Sequence, residues 1–227
     1  DVISSQPMNK ERALITIHHL GVSQSDRVVW LMEELELPYE LRWYDRADDF
    51  LAPPEYRALH PAGTAPIITD GDVVLAESTA IVEYISQCHG GGRLSVSPDS
   101  LDYPHYLFWM QFNNNLQSSL FIKVAVQSTG AEGGAANLML TTAQRREDGL
   151  YQALEERLGV SEYLGGAQFS CADIMSMFNL TSLAVLGARD IGDSLPNTRD
   201  YMARISARPA YQKAMAIAGP AANRPDA

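Results

Sequence analysis

The sequence predicts an α/β domain followed by an all-α domain, and three observations carry that prediction. Strand-type runs alternate with helical patterns up to Gln87. A Gly90-Gly91-Gly92 run and the proline-bearing stretch Arg93 to Asp99 then break the chain. From Tyr103 onward the strand signals vanish and helical periodicity takes over. With 227 residues and 46% hydrophobic content, the chain is long enough for two modest domains. The reading places an α/β domain at 10–89, a linker at 90–102 and a helical domain at 103–220.

Asp1 to Pro7 form a polar lead without the apolar core of a secretory signal, and Met8 reads as the natural start. The first strand is expected at Ala13 to Leu20, where Ile15, Ile17 and His19 alternate with Leu14, Thr16 and His18. Residues Ser23 to Asp26 open a helix with an apolar stripe of Val28, Val29, Leu31, Met32 and Leu35, and Pro38 stops it after Leu37. A second strand follows at Tyr39 to Tyr44, then a loop or short helix from Asp48 to Leu59. Pro66 opens a short apolar strand, Thr69-Asp70-Gly71-Asp72 reads as a hairpin turn, Val73-Val74-Leu75 returns, and Glu77-Ser78-Thr79 starts a helix running to Gln87. Beyond the linker, helices are expected at Tyr103–Gln127, Leu138–Leu158, Ala172–Leu186, Pro196–Ser206 and Pro209–Ala218.

Charge narrows the classes of partner. The formal charge is −11, from 17 basic against 28 acidic residues, which argues against nucleic acid or anionic lipid as the main partner. No apolar run reaches membrane-spanning length, so no membrane partner is expected. The two cysteines, Cys88 and Cys171, have neither the count nor the spacing of a disulfide framework or a zinc site. They read as reduced thiols of a cytoplasmic protein, and no metal is expected.

The stretch from Gly63 to Ser78 carries the chemistry. A proline cannot donate to a sheet ladder, so Pro66 either takes the first position of its strand or holds a cis peptide that turns the backbone of Ala65 outward. Beside that backbone edge lies the positive end of the helix that begins at Glu77-Ser78. Such a place suits a peptide-like molecule: main-chain amides pair along Ala65 and Pro66, a carboxylate meets the Ser78 hydroxyl, and Glu77 holds an ammonium. Glutathione has all of these groups. The competing reading of Glu77 and Ser78 is ordinary helix capping.

Three segments give the chain a resemblance to a family. They are His18-His19-Leu20-Gly21-Val22-Ser23-Gln24-Ser25-Asp26-Arg27-Val28 with Trp30 to Leu35 and Pro38-Tyr39-Glu40; Ala52 to Glu55, His60-Pro61, Ala65-Pro66 and Leu75-Ala76-Glu77-Ser78; and Tyr106-Leu107-Phe108-Trp109 with Leu116-Gln117 and, later, Phe169 to Ile174. Together they make the chain similar to cytosolic-type glutathione S-transferases, more to the fungal and bacterial enzymes of the yeast GTT type than to the mammalian classes. The resemblance implies a thioredoxin-like N-terminal domain, an all-helical C-terminal domain, glutathione as co-substrate, and a homodimer with the N-terminal domain of one chain against the helical domain of the other.

It also implies an activated thiol. Ser23 resembles the serine of the serine-type transferases, whose hydroxyl donates to the sulfur; its rival reading is an N-cap, a description Ser25 and Asp26 share. No tyrosine or cysteine lies in this loop, which argues against the branch that forms mixed disulfides. His18 and His19 read as strand residues, one buried and one at the domain edge. Gly63 and Thr64 stand where some relatives hold the glycine carboxylate of glutathione, leaving Arg57 and His60 as the nearby basic groups. Ser170-x-x-Asp173 has the form of a capping box with a folding role.

The second substrate is expected between the domains, against Tyr106, Trp109, Met110 and Asn113, with at least half of the aromatic stripe serving as core. Of the three consecutive amides Asn113-Asn114-Asn115, at least one should point inward. The expected function is addition of glutathione to a small hydrophobic electrophile, or reduction of an organic hydroperoxide. A transferase fold that binds a ligand or partner without catalysis is the alternative.

Overall fold

The structure is a computed structural model that describes residues 14–130, 133–183, 189 and 191–224. Its N-terminal half runs β1 (Ile15–Leu20), α1 (Asp26–Glu34), β2 (Tyr39–Tyr44), α2 (Pro54–Arg57), β3 (Ile67–Asp70), β4 (Val73–Ala76) and α3 (Ser78–Cys88). The sheet order is β2-β1-β3-β4, with β1 parallel to β2 and antiparallel to β3. The helical half comprises α4 (Tyr103–Ser128), α5 (Gly134–Leu158), α6 (Cys171–Leu180), α7 (Pro196–Ser206) and α8 (Pro209–Ala218), with a 3-10 turn at Gly192–Ser194. This is a thioredoxin-like domain followed by an all-helical domain.

Several element bounds differ from the sequence reading for local reasons. Leu14 lies outside the first strand, and Ala13, like the chain start read at Met8, lies outside the described residues. Helix α5 begins four residues earlier than its first apolar position suggests, because Gly134, Ala135, Ala136 and Asn137 carry no apolar stripe yet take helical geometry after Gly133, whose φ is +107°. Helix α6 stops at Leu180, where Thr181 leaves helical geometry at ψ −71° and φ −122°; of the expected continuation to Leu186, residues 181–183 are not α-helical and 184–186 lie outside the described residues. Prolines at the first turns of α7 and α8 fix both starts where the sequence puts them.

The two halves share one hydrophobic core. Helix α1 is buried along Val28, Val29, Trp30, Leu31 and Met32, and packs on α8 and α6 as well as on its own sheet. The 90–102 stretch is stitched to both sides. Arg93 donates to the Leu35 carbonyl at 2.6 Å, and Cys171 N–H donates to the Leu94 carbonyl at 2.8 Å. Cys88 is exposed and Cys171 buried, both as thiols. No helix among the described residues is long and apolar enough to cross a membrane.

Candidate active site

The C-terminal end of a central parallel strand is where α/β sheets place ligands, and here the end of β1 leads into the loop of Gly21 to Ser25. Arg46 holds that loop. Its Nε donates to the Gly21 carbonyl (2.8 Å), one terminal nitrogen to the Val22 carbonyl (2.7 Å) and the other to the Phe50 carbonyl (2.6 Å). Val22 and Phe50 both sit at positive φ, at 50° and 63°, so the guanidinium secures backbone that these side chains disfavour.

Ser23 follows, 7% exposed. Its Oγ donates to the Leu20 carbonyl at 2.6 Å and lies 2.7 Å from Ser25 Oγ, which lies 2.8 Å from His19 Nδ1. His18 and His19 are both buried, so neither stands at a domain edge. Burial, reinforced by the Arg46 charge, pushes His19 down to about 4, and its ring is neutral at physiological pH. Helix α1 starts at Asp26, with Ser25 at the N-cap position making no side-chain cap bond.

The proline edge lies alongside. The Ala65–Pro66 peptide is cis, and the β3 ladder begins one residue later, pairing Ile67 with His18 and Ala76. Ala65 is half-buried against the cluster of Leu20, Tyr44, Ala52, Tyr56, Ile67 and Ala76. Tyr56 ties that cluster to β1 by donating its hydroxyl to the His18 carbonyl at 3.2 Å. Glu77, the N-cap of α3, is exposed with φ at 73°, a left-handed conformation uncommon outside glycine and frequent at ligand sites. Ser78 is buried at the first position of α3, and its Oγ donates to Gln24 Oε1 at 2.9 Å. Ser23, Ala65, Pro66, Glu77 and Ser78 therefore converge on one end of the sheet. Of the two basic groups near the glycine end, His60 Nδ1 accepts the Ala62 N–H at 3.1 Å, while the Arg57 stem packs under Gly63.

The expected substrate wall on α4 is corrected. Tyr106, Trp109 and Met110 are core side chains. Tyr106 donates its hydroxyl to Glu83 of α3, and Trp109 packs between the Phe108 and Phe112 rings at centroid distances of 4.9 Å. The reason is periodicity: positions 106, 109, 110, 113 and 116 form the stripe that α4 buries. Asn113 is the exception in kind. It is the inward-pointing amide of its run: its Oδ1 accepts from Arg27 at 2.9 Å, its Nδ2 donates to Gln24 Oε1 at 3.2 Å, and Asn179 donates to its backbone carbonyl at 2.7 Å.

Sequence reasoning missed Gln24, Arg46 and Arg27. Arg27 is buried at the junction of α1, α4 and α6, stacked on the Phe178 ring at 5.0 Å; burial pushes it down to about 10, so it stays charged. Its neighbour Asp26, buried with Ser182 donating to it at 2.8 Å, is pushed up to about 6 by the same burial. Among the described residues, no group of three or more His, Cys, Asp or Glu is placed to hold a metal.

The chain thus pairs a thioredoxin-like domain, offering a cis-proline edge beside a helix N-terminus, with an all-helical domain. Comparison with known proteins specifies the family. Residues 22–88 match the profile "Glutathione S-transferase, N-terminal domain" and residues 134–209 match "Glutathione S-transferase, C-terminal domain". Glutathione S-transferase 3 of Schizosaccharomyces pombe is 31% identical over 210 residues, covering 87% of this chain and 85% of that protein. Among solved structures, a glutathione S-transferase from Actinobacillus pleuropneumoniae superposes with a TM-score of 0.79 at 30% identity, covering 90% of this chain and 93% of its own. The theta class glutathione S-transferase of Xanthomonas axonopodis pv. citri, with glutathione bound, gives 0.65 at 27% identity over 90% of this chain and 98% of its own. This chain belongs to the glutathione S-transferase family.

Proposed function

We propose that this protein binds glutathione along Ala65-Pro66 and the start of α3, and that Ser23 stabilises its thiolate for attack on a small hydrophobic electrophile or an organic hydroperoxide. One observation carries the reading: the cis Ala65–Pro66 edge, the α3 N-terminus with Ser78, and the Ser23 loop meet at one end of the sheet. Glutathione's γ-glutamyl carboxylate would sit at Ser78 and the positive end of α3, with its ammonium at Glu77. The theta-class relative, solved with glutathione bound, supports the same ligand. Cys88 and Cys171, both thiols, fit a reducing cytoplasmic setting.

A second reading draws on the orientation of Ser23. Its hydroxyl proton is directed at the Leu20 carbonyl, which suits a fold that binds without catalysing, or a thiol activated by the α1 N-terminus alone. Calorimetric titration with glutathione, coupled to conjugation of 1-chloro-2,4-dinitrobenzene and reduction of cumene hydroperoxide, separates these. Binding with turnover of either substrate is expected, and Glu77→Gln should weaken glutathione about tenfold by removing one charge-assisted contact. Binding without turnover would favour the second reading, and absence of binding would sink the first.

Homodimerisation belongs to the same proposal. The edge strand β4 exposes Val73 and Val74, α4 exposes Leu107 and Phe108, and Phe50 and Leu51 stand 78% and 58% exposed on the loop before α2. Apolar side chains exposed on an unpaired sheet edge and on the first helix of the C-terminal half need cover. Sedimentation equilibrium should return twice the 24.9 kDa chain mass; a 24.9 kDa species at micromolar concentration would refute the dimer.

A further inference from the structure

We propose that Gln24 competes with glutathione for the Ser78 hydroxyl, and so couples the glutathione site to helix α4. The inference rests on the reading of Ser78 as the seat of the γ-glutamyl carboxylate. A serine hydroxyl has one proton to donate, and in this structure Ser78 gives it to Gln24 Oε1 at 2.9 Å. A carboxylate is an acceptor only, so it takes that proton by displacing the amide oxygen, and two acceptor oxygens aimed at one donor repel. The carboxylate wins the exchange, because a charge-assisted hydrogen bond is roughly twice as strong as a neutral one and α3 points its positive end at the same place.

Gln24 has somewhere to go. The same Oε1 accepts from Asn113 Nδ2 at 3.2 Å, and Nε2 donates to Gln117 Oε1 at 2.7 Å, so two partners on α4 hold the amide once Ser78 releases it. Asn113 in turn is bonded to Arg27 of α1 and Asn179 of α6. Glutathione binding therefore converts Gln24 from a bridge between α3 and α4 to a loop residue held by α4 alone.

Calorimetry with reduced glutathione on the full chain tests this. Gln24→Ala should bind glutathione about threefold to tenfold more tightly, the range of one neutral hydrogen bond relieved. The near-isosteric Gln24→Glu, which sets a permanent carboxylate against Ser78, should bind at least about tenfold more weakly; it keeps the test open if the alanine variant folds poorly. The gain from Gln24→Ala should vanish when combined with Ser78→Ala, itself expected to weaken binding. If Ser78→Ala weakens binding but Gln24→Ala does not tighten it, or Gln24→Glu binds like the wild type, the competition is overturned and the glutathione site stands. If Ser78→Ala binds like the wild type, the seat of the carboxylate is wrong and the competition falls with it.

Discussion

Asp173→Ala is expected to lower stability by about 3–5 kcal/mol, a midpoint loss of roughly 10 °C in thermal unfolding. Asp173 is fully buried at the third position of α6 and accepts four hydrogen bonds. Oδ2 takes the Ser170 N–H at 2.9 Å and the Ser170 hydroxyl at 3.2 Å; Oδ1 takes the Leu164 N–H at 2.9 Å and the Tyr201 hydroxyl at 2.9 Å. Burial pushes the carboxyl up to about 6 against the pull of these donors, so it is ionised at neutral pH. Alanine would strand the donors in the core, and an unsatisfied buried donor costs about 1–3 kcal/mol. Ser170→Ala, which removes one of the four, should cost only about 1 kcal/mol. Equal losses in the two variants would mean that the bonds from the Ser170 N–H, Leu164 and Tyr201 contribute nothing.

Ser23→Ala is expected to slow conjugation at neutral pH by roughly 10- to 100-fold while leaving glutathione affinity within about threefold. A free thiol has a pKa of about 8.5, and lowering it by ~2 units takes about 2.7 kcal/mol of preference for the thiolate. One hydroxyl donating to a charged sulfur supplies about 1.5–3 kcal/mol of that. The structure adds how this could be arranged. Ser23 Oγ lies 2.7 Å from Ser25 Oγ, so when Ser25 donates to it, with His19 Nδ1–H donating to Ser25 in turn, Ser23 is free to swing its own proton from the Leu20 carbonyl toward the ligand. Steady-state kinetics on the alanine variant would refute the role if kcat were unchanged at neutral pH.

Much of the fold was legible because its signals are local. Pro196 and Pro209 mark helix starts, Pro66 marks a strand start, and Thr69 to Asp72 mark a hairpin, each from a few adjacent residues. Ser170 and Asp173 declared a capping box for the same reason, while the Leu164 and Tyr201 partners that make Asp173 expensive to remove lie 9 and 28 residues away and left no trace in the pattern. The site divides the same way. The proline edge at Ala65-Pro66 and the helix start at Glu77-Ser78 were readable from spacing, but Gln24 acquires its place from Ser78 and Gln117, 54 and 93 residues distant, and Arg46 from carbonyls on two loops. Tyr106, Trp109 and Met110 misled in the opposite sense: aromatic and sulfur side chains suit a hydrophobic substrate and a helix core equally well, and the shared stripe with Phe112 and Leu116 decides for the core.

The most direct measurement is the ultraviolet thiolate absorbance of glutathione titrated against pH, alone, with the wild-type protein and with Ser23→Ala. A bound thiol lowered by about one to two units in the wild type and returned toward 8.5 in the variant is the expected result. A bound thiol that titrates like free glutathione in the wild type, or one lowered equally in both proteins, would contradict activation by Ser23.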